Sequence, residues 1–183
     1  FALLTDRESS EALSEYAAAA GFELFVGPKD DVLKRYAQAI SYYRVDTVIR
    51  ATGDNPLVDG ECAARLLELY RRRHVDYSGF CGLLIGTGVE CVRAKALLQA
   101  DRRAATEYER EHVCPYLYNN PHTFIIYRPS APAECYSPEL RVTLDTDRDY
   151  RRLHTIFDSL YAGNPISTAQ LIRGISHLHL IAG

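Results

Sequence analysis

Apolar and polar positions along this 183-residue chain follow two different periods. Short apolar runs, such as residues 1–5 and 22–26, predict buried strands, and the stretches after them carry apolar residues at helical spacing. Strand and helix patterns alternate along most of the chain. Parallel neighbouring strands need crossover connections, which helices usually supply. The pattern therefore predicts a doubly wound α/β domain with a mostly parallel sheet and helices on both faces.

The same periods predict the individual elements. The predicted strands are residues 1–5, 22–26, 46–52, 75–80, 88–94, 123–129 and 140–146. The predicted helices are residues 10–20, 32–43, 60–74, 94–104, 106–120, 147–162 and 167–183. Pro115 should kink or end the helix at 106–120. The helix at 167–183 would pack on the body of the protein or on a second subunit. Along the helix at 147–162, the residues expected on the buried face are Tyr150, Leu153, Phe157 and Leu160.

Composition is typical of a soluble globular protein, with 47% apolar and 25% charged residues. A net charge of −3 gives no electrostatic reason to expect a nucleic acid partner. No apolar run is long enough for a membrane helix, and the start does not resemble a signal peptide. The five cysteines are scattered without a zinc-site spacing, which favours reduced thiols in a cytoplasmic protein.

Acidic residues occupy the ends of predicted strands, where ligands of open α/β sheets bind. Asp54 and Asp145 each follow an apolar run, and Glu90 lies inside a short one. Two such carboxylates can share a Mg²⁺ ion, which prefers oxygen ligands and bridges protein carboxylates to phosphates. The alternative is that each aspartate is a turn residue or helix cap, as we expect for Asp59 and Asp149.

Five stretches in order resemble one family: "VGPKDDVLKRYAQA", "VIRATGDNPLVDGE", "GVECV", "EREHVCPYLYNN" and "LRVTLDTDRDY". They are similar to the cytidylyltransferases of the spore coat polysaccharide biosynthesis protein F type, relatives of the acylneuraminate and Kdo cytidylyltransferases. The similarity covers about residues 1 to 160. It implies a Rossmann-like nucleotide-diphosphosugar-transferase fold that uses CTP and Mg²⁺ to place CMP on a sugar or sugar acid, releasing pyrophosphate.

The resemblance also implies roles for particular residues. Asp54 and Asp145 match the metal-binding acids of the family and are the expected catalytic positions, while Glu90 matches an acid near the acceptor sugar. The other expected substrate-binding residues are Arg35, Arg50, Glu111 and His112. Relatives carry a longer polar loop than "SGFCGLLIGTGVE" before the position of Gly88, so the acceptor is not specified by the resemblance.

The chain does not show the Gly/Ser/Arg-rich phosphate loop with which family members begin. We expect one cytidylyltransferase-like domain over residues 1–183 whose first strand and phosphate loop are missing from this chain, and a homodimer is a further expectation. Two other functions stay open. A glycosyltransferase of related fold would consume a finished nucleotide sugar, and a non-catalytic subunit would only bind its ligand.

Overall fold

The computed structural model describes residues 1–177 as a mixed α/β protein of helices and short strands. This confirms the α/β class predicted from the alternating pattern. No helix within the described residues is long and apolar enough to cross a bilayer. The tail prediction extends beyond the described part of the chain, because residues 178–183 lie outside it.

The elements follow one another in chain order. The strands are β1 (Ala2–Thr5), β2 (Glu23–Val26), β3 (Thr47–Arg50), β4 (Tyr77–Gly79), β5 (Glu90–Arg93) and β6 (Ile126–Tyr127). The helices are α1 (Arg7–Ala19), α2 (Val32–Tyr43), α3 (Gly60–Arg73), α4 (Ala94–Arg103), α5 (Glu107–His112), α6 (Pro115–Tyr118), α7 (Asp147–Leu160) and α8 (Thr168–His177), with a short 3₁₀ turn at Ala133–Cys135.

The strands form two sheets. Strands β1 and β2 pair in parallel, with Leu3 opposite Leu24, and α1 makes the crossover between them. The second sheet has the strand order β3-β5-β4-β6. The β1–α1–β2 unit is the arrangement predicted for the start of the chain, whereas a mostly parallel sheet as a whole stays a prediction.

The chain divides into two compact units, one formed by Phe1–Val48 and Val92–Ile126, the other by Ile49–Cys91 and the described chain from Tyr127 onward. In the first unit, Arg110 of α5 joins three helices. Its guanidinium donates to both carboxylate oxygens of Asp31, the N-cap of α2, at 2.9 and 2.5 Å. It also donates to the carboxylate of Asp101 in α4 at 2.7 Å. These hydrogen bonds to Asp31 and Asp101 raise the pKa of Arg110. The guanidinium therefore stays positively charged and keeps its ion pairs with the other two helices.

The main core of the second unit lies where α7 and α8 pack together. Leu153 and Ile156 of α7 contact Leu171 and Ile175 of α8 in one apolar cluster, which also includes Leu84. Ile156 and Leu171 are almost completely buried. Leu84 belongs to the loop between β4 and β5, so its packing in this core holds the loop in place.

Two details differ from the sequence pattern. Tyr150 and Phe157 are 57% and 43% exposed, and Ile156 occupies the buried face of α7 instead. The segment at 140–146, predicted as a strand, makes only an isolated bridge between Arg141 and Ile85. In α7 the covered residues are those that pack on α8. In the segment at 140–146, Val142 is fully buried, and the backbone NH groups of Val142 and Leu144 donate to the carbonyls of Ile85 and Asp54.

Candidate active site

A cavity of about 290 Å³ lies within the second unit. Its lining comes from the end of β3, from β4, from the start of β5 and from the loop between β4 and β5. This volume is at the lower end for ligand pockets and suits a ligand of about monosaccharide size. The polar side chains that line it are Arg50, Thr52, Asn55, Tyr77 and Glu90.

Glu90 is the acid of this cavity, and two neighbours hold its carboxylate. Arg50 Nη1 donates to Glu90 Oε2 at 2.6 Å, and the hydroxyl of Tyr77 donates to Glu90 Oε1 at 2.8 Å. The side chains of Arg50 and Glu90 are only 14% and 22% exposed. Charge-assisted hydrogen bonds shielded from water fix a carboxylate better than a surface pair does. Two of the predicted residues, Arg50 and Glu90, are thus brought together, and their role in substrate binding stays a prediction.

Tyr77 is a cavity residue that the sequence interpretation missed. It is buried, and its hydroxyl reaches Glu90 only because residue 79 has no side chain. A Cβ atom on Gly79 would lie 2.9 Å from the Tyr77 hydroxyl oxygen. The signal was present, because alternate residues of a strand face the same side, and "YSG" places Tyr77 and Gly79 together.

The apolar side of the cavity is the loop at residues 80–89, which we call the cavity loop. Leu83, Leu84 and Ile85 line the cavity from this loop. Gly82 and Gly86 flank them with φ angles of 76° and 97°, in the region that favours glycine. The backbone NH of Ile85 donates to the carbonyl of Leu140 at 2.9 Å, which fixes the loop against the following segment.

Asp54 lies in a tight turn at the edge of the cavity. The backbone NH of Asn55 donates to the carbonyl of Thr52 at 3.1 Å, so Gly53 and Asp54 are the two central residues of a β-turn. Thr52 and Asn55 both line the cavity, and Asp54 between them is exposed. The turn therefore presents the Asp54 carboxylate to solvent beside the cavity.

Asp145 is joined to the same turn through the backbone. The NH of Leu144 donates to the carbonyl of Asp54 at 2.8 Å. The Asp145 carboxylate accepts hydrogen bonds from the hydroxyl of Thr143 at 2.8 Å and from the guanidinium of Arg141, and its side chain is 46% exposed. One backbone hydrogen bond thus connects the segments that carry the two predicted metal ligands.

These two carboxylates fit a Mg²⁺ ion in their chemistry. Both are exposed oxygen donors on segments joined by the Leu144–Asp54 hydrogen bond, and Mg²⁺ takes one or two carboxylates while keeping waters for its other positions. Asp145 would exchange its contact with Arg141 for the metal. An exposed ion pair contributes little to stability, so this exchange costs little.

The remaining predicted residues lie in the first unit. Arg35 is buried, and its guanidinium donates to the carbonyls of Pro28 and Lys29 at 2.7–2.8 Å, so it fixes the backbone between β2 and α2. Glu111 and His112 are exposed at the end of α5, and the ring of His112 packs 4.5 Å from that of Tyr108. Their part in substrate binding stays a prediction.

A second cluster of potential metal ligands is buried in the second unit. Asp59, Cys62 and Cys135 place their ligand atoms within 4.8 Å of one another. Both carboxylate oxygens of Asp59 accept backbone NH groups, from Glu61 and Cys62 at the start of α3 and from Thr168 at the start of α8. The aspartate is therefore a cap that joins two helices, as its sequence position before α3 predicted.

Comparison with known proteins assigns this chain to a family. Residues 3–167 match the sequence model of a family described as cytidylyltransferase. The chain therefore belongs to the cytidylyltransferase family, which confirms the resemblance seen in the five sequence stretches.

The chain is also similar to individual members and relatives. It is 29% identical over 169 residues to the spore coat polysaccharide biosynthesis protein SpsF of Bacillus subtilis, covering 92% of this chain and 70% of that protein. It is 32% identical over 147 residues to an uncharacterized protein of Methanocaldococcus jannaschii, covering 80% of this chain and 60% of that protein. The structure of a cytidylyltransferase from Leptospira borgpetersenii matches with a TM-score of 0.86 and 28% identity, over 97% of this chain and 76% of that one.

Proposed function

We propose that this protein is a CTP-dependent cytidylyltransferase that transfers CMP from CTP to a sugar or sugar acid, with release of pyrophosphate, in surface polysaccharide biosynthesis. Family membership and the similarity to SpsF support the reaction class. The observation that carries the proposal is the turn at residues 52–55. Its ends line the cavity and its centre presents Asp54 at the cavity edge.

In the proposed reaction an acceptor hydroxyl attacks the α-phosphorus of CTP. A new O–P bond forms, the bond from the α-phosphorus to the oxygen that bridges to the β-phosphate breaks, pyrophosphate leaves with that oxygen, and the proton of the hydroxyl passes to solvent. Asp54 and Asp145 would hold Mg²⁺, which when bound offsets the negative charge that develops on the phosphate oxygens. Arg50 and Glu90 would orient the acceptor, and the substrate-binding roles that the resemblance implies for Arg35, Glu111 and His112 stay predictions.

The proposal includes the finer features of the fold. We propose a Rossmann-like nucleotide-diphosphosugar-transferase domain with a mostly parallel sheet and helices on both faces, working in the cytoplasm and forming a homodimer. The parallel β1–β2 pair with its helical crossover supports the sheet arrangement. The five free cysteines are consistent with a reducing compartment.

The test is pyrophosphate release by the full-length protein with CTP, Mg²⁺ and a panel of sugars and sugar acids. We expect release that needs an acceptor and stops when EDTA removes the metal. Asp54→Asn should lower the rate on the order of 100-fold, because it removes a charged ligand of the ion that stabilises the transition state. Asp147→Asn is the control, since it removes an acid from the first turn of α7 in the same unit.

Other results would contradict this assignment. Consumption of a nucleotide sugar without use of CTP would identify a glycosyltransferase. CTP binding that is equally tight with and without Mg²⁺, accompanied by no turnover, would identify a binding subunit. Full activity of Asp54→Asn would remove Asp54 from the mechanism.

A further inference from the structure

The charges of the cavity are already balanced within the protein. Among its lining residues, all of which lie in the described part of the chain, the charged ones are Arg50 and Glu90. They form an ion pair of 2.6 Å with each other. An anionic group that entered the cavity would meet the Glu90 carboxylate and would have to compete with it for Arg50.

Glu90 still offers hydrogen-bond acceptor capacity to a ligand. A carboxylate has about four lone-pair positions on its two oxygens, and Arg50 and Tyr77 supply one donor to each oxygen. The side chain remains 22% exposed. Because both protein donors hold it in place, the carboxylate is preorganised to accept a hydrogen bond from a hydroxyl group of a ligand.

The part of the cavity lining that comes from the cavity loop is apolar. Leu83 and Leu84 of this loop are buried, and Ile85 is 48% exposed. This wall suits the C–H face of a sugar ring, whereas a charged substituent placed against it would lose its hydration without a compensating partner.

We propose that the part of the acceptor that occupies this cavity is uncharged and hydroxylated. One hydroxyl donates to Glu90, and the C–H face of the ring packs on Leu83 and Ile85. If the acceptor is a sugar acid, its carboxylate lies outside the cavity. That the occupant is the acceptor sugar rests on the proposed function. The inference then narrows the class of acceptor, which the family resemblance leaves open.

The first test is binding, measured by saturation-transfer difference NMR without nucleotide. The probes are glucose, galactose and mannose, each paired with its uronic acid. We expect saturable binding of at least one neutral sugar and weaker binding of its uronic acid partner. A uronic acid that binds more tightly than its neutral partner, or a wild-type protein that binds none of the probes, overturns the inference.

Glu90→Gln tests whether a sugar hydroxyl donates to the carboxylate. If it does, loss of the charge weakens binding of the neutral probe by about tenfold or more. The readout is the affinity of the neutral probe, because loss of a repelling charge favours the uronic acid whatever occupies the cavity. Unchanged or tighter binding of the neutral probe contradicts the inference. Glu68→Gln on α3, which removes an exposed acid, is the matched control.

A second variant, at Ile85, tests the inference without changing Glu90. Ile85 is half exposed, and its backbone hydrogen-bonds to Leu140 and Val142. Ile85→Lys adds a positive charge to a lining whose charged residues are Arg50 and Glu90. We expect uronic acid binding to rise at least severalfold relative to neutral sugar binding. An unchanged ratio would mean that the probes do not occupy this cavity and would refute the inference.

The inference and the proposed function fail in different ways. Neutral-sugar binding with the expected Glu90→Gln loss, but no pyrophosphate release with any acceptor, would leave the cavity assignment standing and remove the transferase activity. Pyrophosphate release together with unchanged neutral-sugar binding by Glu90→Gln would keep the activity and remove the inference.

Discussion

Aspartate serves two different purposes in this chain, and the surroundings of each side chain decide which. Asp59 is 4% exposed, and its carboxylate accepts backbone NH groups from two helices. Asp54, five residues earlier, is exposed at the centre of a turn beside the cavity. Both aspartates lie between strand β3 and helix α3. Sequence spacing alone therefore makes each a candidate for a helix cap or turn residue and for a metal ligand.

Asp59 provides the test at the scale of one residue. Asp59→Ala removes the N-cap of α3 and leaves the buried NH of Thr168 without its acceptor. We expect a loss of about 3 kcal/mol in the free energy of unfolding at pH 7, from a cap worth about 1 and an unsatisfied buried donor worth about 2. Asp59→Asn should cost less, because asparagine also caps helices. Urea titration of both variants measures the difference.

The same carboxylate predicts a pH dependence. Burial alone would raise the pKa of Asp59, but the NH groups of Cys62 and Thr168 outweigh it and hold the pKa below its ordinary value. A carboxyl whose pKa is lowered on folding stabilises the protein above its unfolded pKa of about 3.9 and loses that effect as pH falls through the folded value. The stability gap between wild type and Asp59→Ala should therefore narrow below about pH 4. A gap that widens towards acid would contradict this assignment.

At the scale of elements, the sequence pattern identified the long helices better than their faces. Helix α7 begins at the predicted residue, Asp147, because its capping box and apolar spacing are local properties. Its buried face was predicted only in part, since Leu153 is buried as expected, whereas Phe157 is 43% exposed and Ile156 packs on α8. Which apolar residues are covered depends on a helix that follows later in the chain, and a local period does not contain that information.

The candidate site shows the same division between local and distant causes. Asp54 and Asp145 were visible in the sequence because each follows an apolar run, although only the run before Asp54 forms a strand. The ion pair of Arg50 and Glu90 joins residues 40 positions apart, and the hydrogen bond from Tyr77 depends on the space left by Gly79. Such contacts follow from strand pairing, so the sequence indicated Arg50 and Glu90 but not their partnership, and it missed Tyr77.

The cavity loop gives the test at the element scale. Gly86 has a φ of 97°, and a Cβ atom there would lie 2.9 Å from the backbone carbon of Val142. Gly86→Ala should cost about 2 kcal/mol or more of unfolding free energy, because the chain must hold an L-residue in a glycine conformation against fixed backbone. Gly60→Ala at the start of α3, where nothing lies within 4 Å of the added Cβ, should change stability by less than about 1 kcal/mol. Equal effects of the two variants would show that the loop backbone yields freely.

At the scale of the whole molecule, net charge makes a metal ion central to the proposed binding of CTP. The chain carries a formal charge of −3 and places Asp54 and Asp145 on joined segments. A triphosphate near two carboxylates is repelled unless a cation lies between them. The proposed function therefore requires CTP and Mg²⁺ to stabilise the folded protein together, and neither should do so alone.

Asp145→Asn separates this metal role from a purely structural one. The Asp145 pair with Arg141 is about half exposed, so its loss should change unfolding free energy by no more than about 1 kcal/mol. Ligand that binds the native state at 100 times its Kd stabilises it by about 2.7 kcal/mol, which appears as a rise in Tm. We expect this rise in full-length wild type with CTP plus Mg²⁺, its absence in Asp145→Asn, and its retention in Asp147→Asn. Differential scanning calorimetry measures all three. A wild-type rise that survives in Asp145→Asn would show that the aspartate serves the fold and not the metal.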